Sequence, residues 1–397
     1  MAFIIIEYTL FAFTYLANSA TISVYLANFM RFDTAAIGSI LLLSAIASRA
    51  SRILAAPILN LIPSRHIMPL MCLLSAIGYL LLAQVSNIPL ICLSLFMIGF
   101  GYASNGMYVK ALVAEYKSEK NNSLLLRYSG LNVVFNVASA IAPLFSTSIF
   151  SHAGPKYFFL ISGAILFTCS ILNYFLHPKN IHLTPQIGLW SSIKAHIFDK
   201  KLNILFLYTT FTWLLYAQLN SAIPLYVANV LNQFNLVGYL FFINASIVIL
   251  LSYPLALLLA RYDFSPTNLL LIGFFCYLFG FIIITIGETF LYVTLAIILW
   301  TFAEIIMMPA LSVFLAQITK PESLINLIGI NSIALGIGEG LGGLIGAMAV
   351  LNYAEHHAGA MSFIPMIILS LIFILFSLFI RFRGQKSRPN RIRAVIK

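Results

Sequence analysis

The chain is a row of apolar segments interrupted once, near its middle, by a polar interval, residues 178–201, PKNIHLTPQIGLWSSIKAHIFDKK. Six apolar segments lie on each side of it. Each has roughly 20 to 28 residues, enough for a helix to cross a hydrocarbon core ~30 Å thick with some tilt. Charged residues make up only 8% of the chain and hydrophobic ones 61%. A soluble domain would carry about a quarter charged residues, so an ordinary soluble fold is excluded. The expected fold is all-α: a polytopic membrane protein of twelve transmembrane helices. Residues 1–177 form one six-helix half and 202–381 the other, joined by a cytoplasmic linker, 178–201, and followed by a basic tail, 382–397. In the linker Trp190, Ile193 and Ile197 share one helical face while Lys194, Lys200 and Lys201 can reach lipid headgroups, which predicts a short interfacial helix.

The spans are expected at 3–30, 36–61, 67–86, 89–115, 123–151, 156–177, 202–230, 235–261, 268–287, 290–318, 324–351 and 361–381. Their loops fall on alternating sides. One side holds Arg65, Lys117, Lys120, Lys179, Lys194, Lys200, Lys201, Lys320 and the tail; the other holds Arg31 and Lys156. By the positive-inside rule both termini are cytoplasmic and the protein sits in an inner (plasma) membrane. The net charge of +11 therefore reads as topology and contact with anionic lipids, not as a nucleic-acid signal, with recruitment of an anionic partner as the alternative use of the tail. The opening MAFIIIEYTLF has no basic residue and no small-residue cleavage site, so the first span is expected to stay. Cys72, Cys92, Cys169 and Cys276 stand singly in apolar runs, which predicts packed thiols and no metal or other cofactor.

Polar residues inside the spans carry the functional signal. Arg49 and Arg52 lie one turn apart in span 2, where an intramembrane arginine costs roughly 2.5–3.5 kcal/mol. Arg52 and Arg65 are expected to snorkel to headgroups; Arg49 either does the same or lines the interface between the halves. Glu304 and Glu339 sit about half-way through spans 10 and 11, and Glu7 near the start of span 1. Each is a candidate proton carrier, with a neutral carboxyl fixed to a neighbouring helix as the bland reading. Tyr15, Asn18, Asn105, Tyr216, Gln218, Asn220, Asn244 and Trp300 are the candidates for a substrate cavity. The run Gly338-x-Gly340-x-x-Gly343 matches a dinucleotide fingerprint, but no strand precedes it, so close helix packing is the reading.

The halves also echo one another. Pro57 corresponds to Pro254, Ala114-Glu115 to Ala316-Gln317, and Asn132 to Asn331. With six spans per half both copies keep the same orientation, a parallel repeat, and substrate is expected between the halves near the midplane.

Over nearly its whole length, and most strongly from Tyr216 to Gly346, the chain resembles the major facilitator superfamily, and more narrowly the twelve-span multidrug-resistance drug:proton antiporters. The likeness rests on the Tyr216-x-Gln218 of span 7, Tyr253-Pro254, Glu304 with Pro309, and the glycine-rich span 11. It departs from the pattern at Asn60, where the family's 2–3 turn has an acid, at Leu95 in place of a span 4 arginine, and at Ala142-Pro143 in place of Gly-Pro. The resemblance implies alternating access and proton-coupled efflux of an amphipathic organic compound by a monomer that is not an enzyme. A carrier for a specific polar metabolite or siderophore, in either direction, is the alternative. Arg49, Arg52, Asn60, Arg65, Lys110, Arg127, Arg261 and Asp263 are the expected gating and charge contacts. The partners expected are a small-molecule substrate, protons and anionic lipids.

Overall fold

A computed structural model describes residues 2–62, 64–115, 124–176, 199–261, 264–318, 324–355 and 359–386. Among these residues the chain is helical throughout, without strands. Eleven helices are long and apolar enough to cross a membrane. The remaining span, the second, is the helix Thr34–Leu61. The linker helix expected around Trp190 lies outside the described residues. The next helix, Lys200–Tyr216, is capped by Asp199, whose carboxylate accepts from Lys201 N at 2.8 Å.

The repeat inferred from sequence is a repeat of packing. In the first half span 3 packs on spans 4 and 6, span 1 on span 5, and span 2 on span 4. In the second, span 9 packs on spans 10 and 12, span 7 on span 11, and span 8 on span 10. Adding six to each first-half number gives the second-half pair. The halves meet through spans 2 and 11 and through spans 5 and 8, which are again equivalent pairs.

Glycine makes the first of these junctions possible. A Cβ on Gly340 would lie 2.7 Å from Leu42 Cδ1 and 3.0 Å from the Leu42 carbonyl, so only glycine lets spans 11 and 2 approach this closely. The same helix presses Gly338 against the carbonyl of Thr210 in span 7. The fingerprint-like glycines are thus a two-sided packing face. From Arg49 back to Gly38, spans 2 and 11 stay in contact, and Gly238 of span 8 packs on Leu144 and Thr147 of span 5 at the same end. The halves are closed at the end of the bundle that carries Arg31 and Gly154.

Two spans deviate from a plain helix. Span 1 ends in a π-turn, Tyr25–Phe29, followed by Arg31 in a left-handed conformation, φ 55°. Span 7 breaks: Lys200–Tyr216 is followed by a 3-10 turn, Ala217–Leu219, and a short helix, Ala222–Asn229. Pro224 falls in the first turn of that short helix, where its missing N–H has no intrahelical partner to lose. The sequence reads as one continuous apolar span because the residues on both sides of the break remain apolar.

Candidate functional site

The central contact is an ion pair between the halves. Arg49 of span 2 places both Nε and Nη2 2.7 Å from Oε2 of Glu339 in span 11. Its guanidinium also lies over the ring of Trp213, 5.1 Å from the centroid. Both charged residues stand about half-way along their helices, Thr34–Leu61 and Leu324–Glu355, so the pair sits near mid-depth. Of the two readings of Arg49, the interfacial one is what the geometry displays. Glu339, which the sequence allowed to be a neutral carboxyl packed among glycines, faces a cation instead.

Glu339 also forms part of the wall of a cavity of about 80 Å³ between the halves, together with Tyr15, Asn18, Ser48, Asn220 and Ser221. The break in span 7 builds one side of it, since Ala217, Asn220 and Ser221 all reach the wall. Discontinuous helices at mid-membrane are where carriers expose backbone and polar side chains to a solute. Tyr15 stacks flat on Tyr102, with centroids 3.8 Å apart and planes 6° apart, which holds its ring in place against the wall.

A second polar cluster lies within the C-terminal half. Glu304 Oε2 accepts from Asn244 Nδ2 at 3.0 Å, Asn244 also donates to Thr301 Oγ1 at 2.9 Å, and the Tyr216 hydroxyl makes a long 3.5 Å contact to Glu304 Oε1. The void beside them, about 10 Å³ and lined by Tyr216, Asn244, Tyr277, Trp300 and Glu304, is of the size of a single water site. Tyr216 packs edge-on against Trp213, 5.0 Å between centroids, and Arg49 lies over that same Trp213 ring, so the aromatic pair connects this cluster to the ion pair.

A third cluster is closed inside the N-terminal half. Glu7 Oε1 accepts from Asn105 Nδ2 at 2.8 Å and from the Cys72 thiol at 3.0 Å, and Asn173 Nδ2 approaches Cys72 Sγ at 3.6 Å. All four residues are buried. Glu7 Oε2, Asn105 Oδ1 and Asn173 Oδ1 have no hydrogen-bond partner.

The structure therefore distributes the sequence candidates over distinct places. Tyr15, Asn18, Asn220 and Glu339 come together at the cavity; Tyr216, Asn244, Trp300 and Glu304 come together beside it. Two expected cavity residues differ. Asn105 turns away to Glu7, and Gln218 donates to the carbonyls of Leu214 at 3.0 Å and Gly342 at 2.9 Å, tying the broken span 7 to span 11. Arg65 is exposed and donates to His66 Nε2 at 2.9 Å. The side chains of Arg52, Asn60, Lys110, Arg127 and Arg261, and Asp263 as a whole, lie outside the described residues. Trp213, Tyr102 and Asn173 were not singled out in the sequence and Cys72 was read as a packed thiol, because an aromatic, a thiol or a lone amide in an apolar run looks like packing. Among the described residues there is no group of three or more His, Cys, Asp or Glu side chains that could hold a metal ion.

A sequence model described as Major Facilitator Superfamily matches residues 5–342. No curated protein matches by sequence. Solved structures with the same fold include the nucleoside transporter NupG, 16% identical with a TM-score of 0.74, covering 97% of this chain and 98% of that one. They also include a POT family transporter in complex with 5-aminolevulinic acid, 13% identical with a TM-score of 0.77, covering 96% of each chain. A third is a bacterial homolog of the human lysosomal transporter Spinster in an inward-facing and occupied conformation, 13% identical with a TM-score of 0.76, covering 98% of each chain.

Proposed function

The chain belongs to the Major Facilitator Superfamily and is a secondary transporter, and from that premise we propose that it carries a small polar organic solute, coupled to protons, by alternating access between its two halves. The observation that carries this reading is the double position of Glu339: it forms part of the wall of the inter-half cavity and at the same time holds Arg49 across the junction. A group that both touches the solute and joins the halves is what links binding to rocking, because a ligand shifts a two-state equilibrium only by its differential contacts with the two states.

The polar groups gathered in the lining favour a solute with a polar head, and the small cavity favours a small one. Hydroxyls, amides and a carboxylate face the space, beside apolar wall from Ile22, Leu41, Leu95 and Ile98. Nucleosides and peptides, the substrates named for two of the fold neighbours, belong to the same broad class. Proton coupling rests on Glu304, a carboxyl held at mid-depth by Asn244 and Tyr216 and connected through Tyr216 and Trp213 to Arg49. Its charge would change as water enters from one side or the other. With the basic loops cytoplasmic, the closed end is the outer one.

The test is flux in proteoliposomes under an imposed pH gradient, using nucleosides, dipeptides and small amines as probes. Saturable, pH-driven uptake or extrusion with counter-exchange is expected for at least one class. An unsaturable ion conductance would make the protein a channel, and recovery of a chemically altered probe would make it an enzyme; either overturns the reading.

A further inference from the structure

We propose that the solute binds through a protonated amine, seated between the carboxylate of Glu339 and the side-chain oxygen of Asn18; this deepens the carrier reading and rests on it. The argument is the set of acceptors that four side chains turn to the cavity. A serine hydroxyl has one proton to donate. Ser48 gives its proton to the carbonyl of Ala45 at 3.0 Å and Ser221 gives its own to the carbonyl of Ala217 at 2.9 Å, both within their own helices. What these two side chains turn to the cavity is lone pairs. Asn18 is buried, with 5% of its surface exposed, and its Oδ1 has no hydrogen-bond partner although the residue lines the space. Glu339 receives both arginine nitrogens on Oε2, which leaves Oε1 without a protein donor among the described residues.

These four side chains thus turn acceptors to the space, one of them anionic, beside Tyr15, Ser19, Ser44 and Asn220, which can donate as well as accept. An ammonium offers three N–H donors and a positive charge in a compact head, and answers both needs at once. A carboxylate would meet the like charge of Glu339, and the nearest cation, Arg49, is engaged by Glu339 and the face of Trp213 and is not part of the wall. A neutral alcohol brings a single proton and no charge to set against the carboxylate. The cavity, at about 80 Å³, suits a small head group. The choice has a consequence for the halves: an ammonium on Oε1 shares the carboxylate with Arg49 and weakens the ion pair, so binding loosens the contact between spans 2 and 11 at mid-depth.

The experiment is a thermal melt of the purified full-length protein with two sets of shape-matched probes: tyramine, tyrosol and hydroxyphenylacetate, and putrescine, butanediol and succinate. At least one amine is expected to raise the melting midpoint in proportion to the logarithm of its concentration, as a ligand of the folded state does. Its alcohol and acid counterparts are expected to leave the midpoint unchanged, and Asn18→Leu and Glu339→Gln are each expected to abolish the amine shift. Asn18→Leu leaves the ion pair intact, so it answers the question even where Glu339→Gln fails to fold. A shift by an alcohol or acid as large as by the amine, the absence of any amine shift, or an amine shift that survives in both variants overturns the inference. Saturable flux of a neutral or acidic probe would do the same while leaving the carrier reading standing.

Discussion

Arg49 and Glu339 are 290 positions apart in the chain, yet two guanidinium nitrogens of the first lie 2.7 Å from one carboxylate oxygen of the second. The pair is shielded but not sealed, with 15% and 20% of the two side chains exposed. Breaking a fully buried pair by removing one partner costs about 3–5 kcal/mol, and removing both charges is often nearly neutral. Partial exposure reduces the first figure here to about 1–3 kcal/mol.

Arg49→Leu alone is therefore expected to lower the melting midpoint by several degrees, because it leaves Glu339 without its cation. The double variant Arg49→Leu with Glu339→Gln is expected to recover most of that loss while remaining unable to transport. Strictly additive effects in the melt would show that the two side chains do not depend on one another.

Glu304→Gln keeps the shape and the Asn244 contact but cannot exchange a proton. Loss of uphill, pH-driven transport is expected, with binding and downhill exchange retained. An unchanged pH profile with uphill transport intact would move the coupling role to Glu339 or Glu7.

Glu7 should behave in the opposite way. Its Oε2 lies in a cluster whose other unpartnered atoms, Asn105 Oδ1 and Asn173 Oδ1, are acceptors as well. Glu7→Gln replaces one of its two carboxyl oxygens by an amide donor, so the melting midpoint should hold or rise, with pH-driven transport kept. Glu7→Ala should destabilise by about 2–5 kcal/mol through the cavity it leaves. Loss of uphill transport in a stable Glu7→Gln protein would give this closed cluster a place in coupling.

Much of the architecture was open to reading in the residues, and the reasons differ from place to place. Apolar runs of membrane-crossing length and the matched prolines Pro57 and Pro254 announce two equivalent halves, because span length and orientation are set by the bilayer. Arg49 and Glu339 announce themselves as charges where charge is costly. Their partnership does not, since it depends on how spans 2 and 11 dock, and that is fixed by glycines such as Gly340 against Leu42. Gln218 looked like a cavity residue because its polarity is visible while its hydrogen bonds to Leu214 and Gly342 are not. Cys72 looked inert because a thiol in an apolar run has the signature of packing, although here it donates to Glu7.

The orientation in the membrane follows from charge and can be read by light. A fluorescent protein that matures only in the cytoplasm should glow when fused after Lys397 and when inserted near Gln186. Darkness at both sites with normal expression would invert the topology and make the closed end the cytoplasmic one.

The central claim is that transport requires the halves to part where spans 2 and 11 now meet. A Cβ built on Gly343 lies 3.5 Å from Cβ of Leu41 across that junction, which is within the range of a disulfide, about 3.5–4.5 Å. The decisive measurement is therefore flux through a Leu41→Cys, Gly343→Cys protein that also carries a protease site near Gln186. Under oxidising conditions the two halves should stay joined on a denaturing gel after cleavage, transport should stop, and reductant should restore it. Full transport by the oxidised, cross-linked protein would contradict the account.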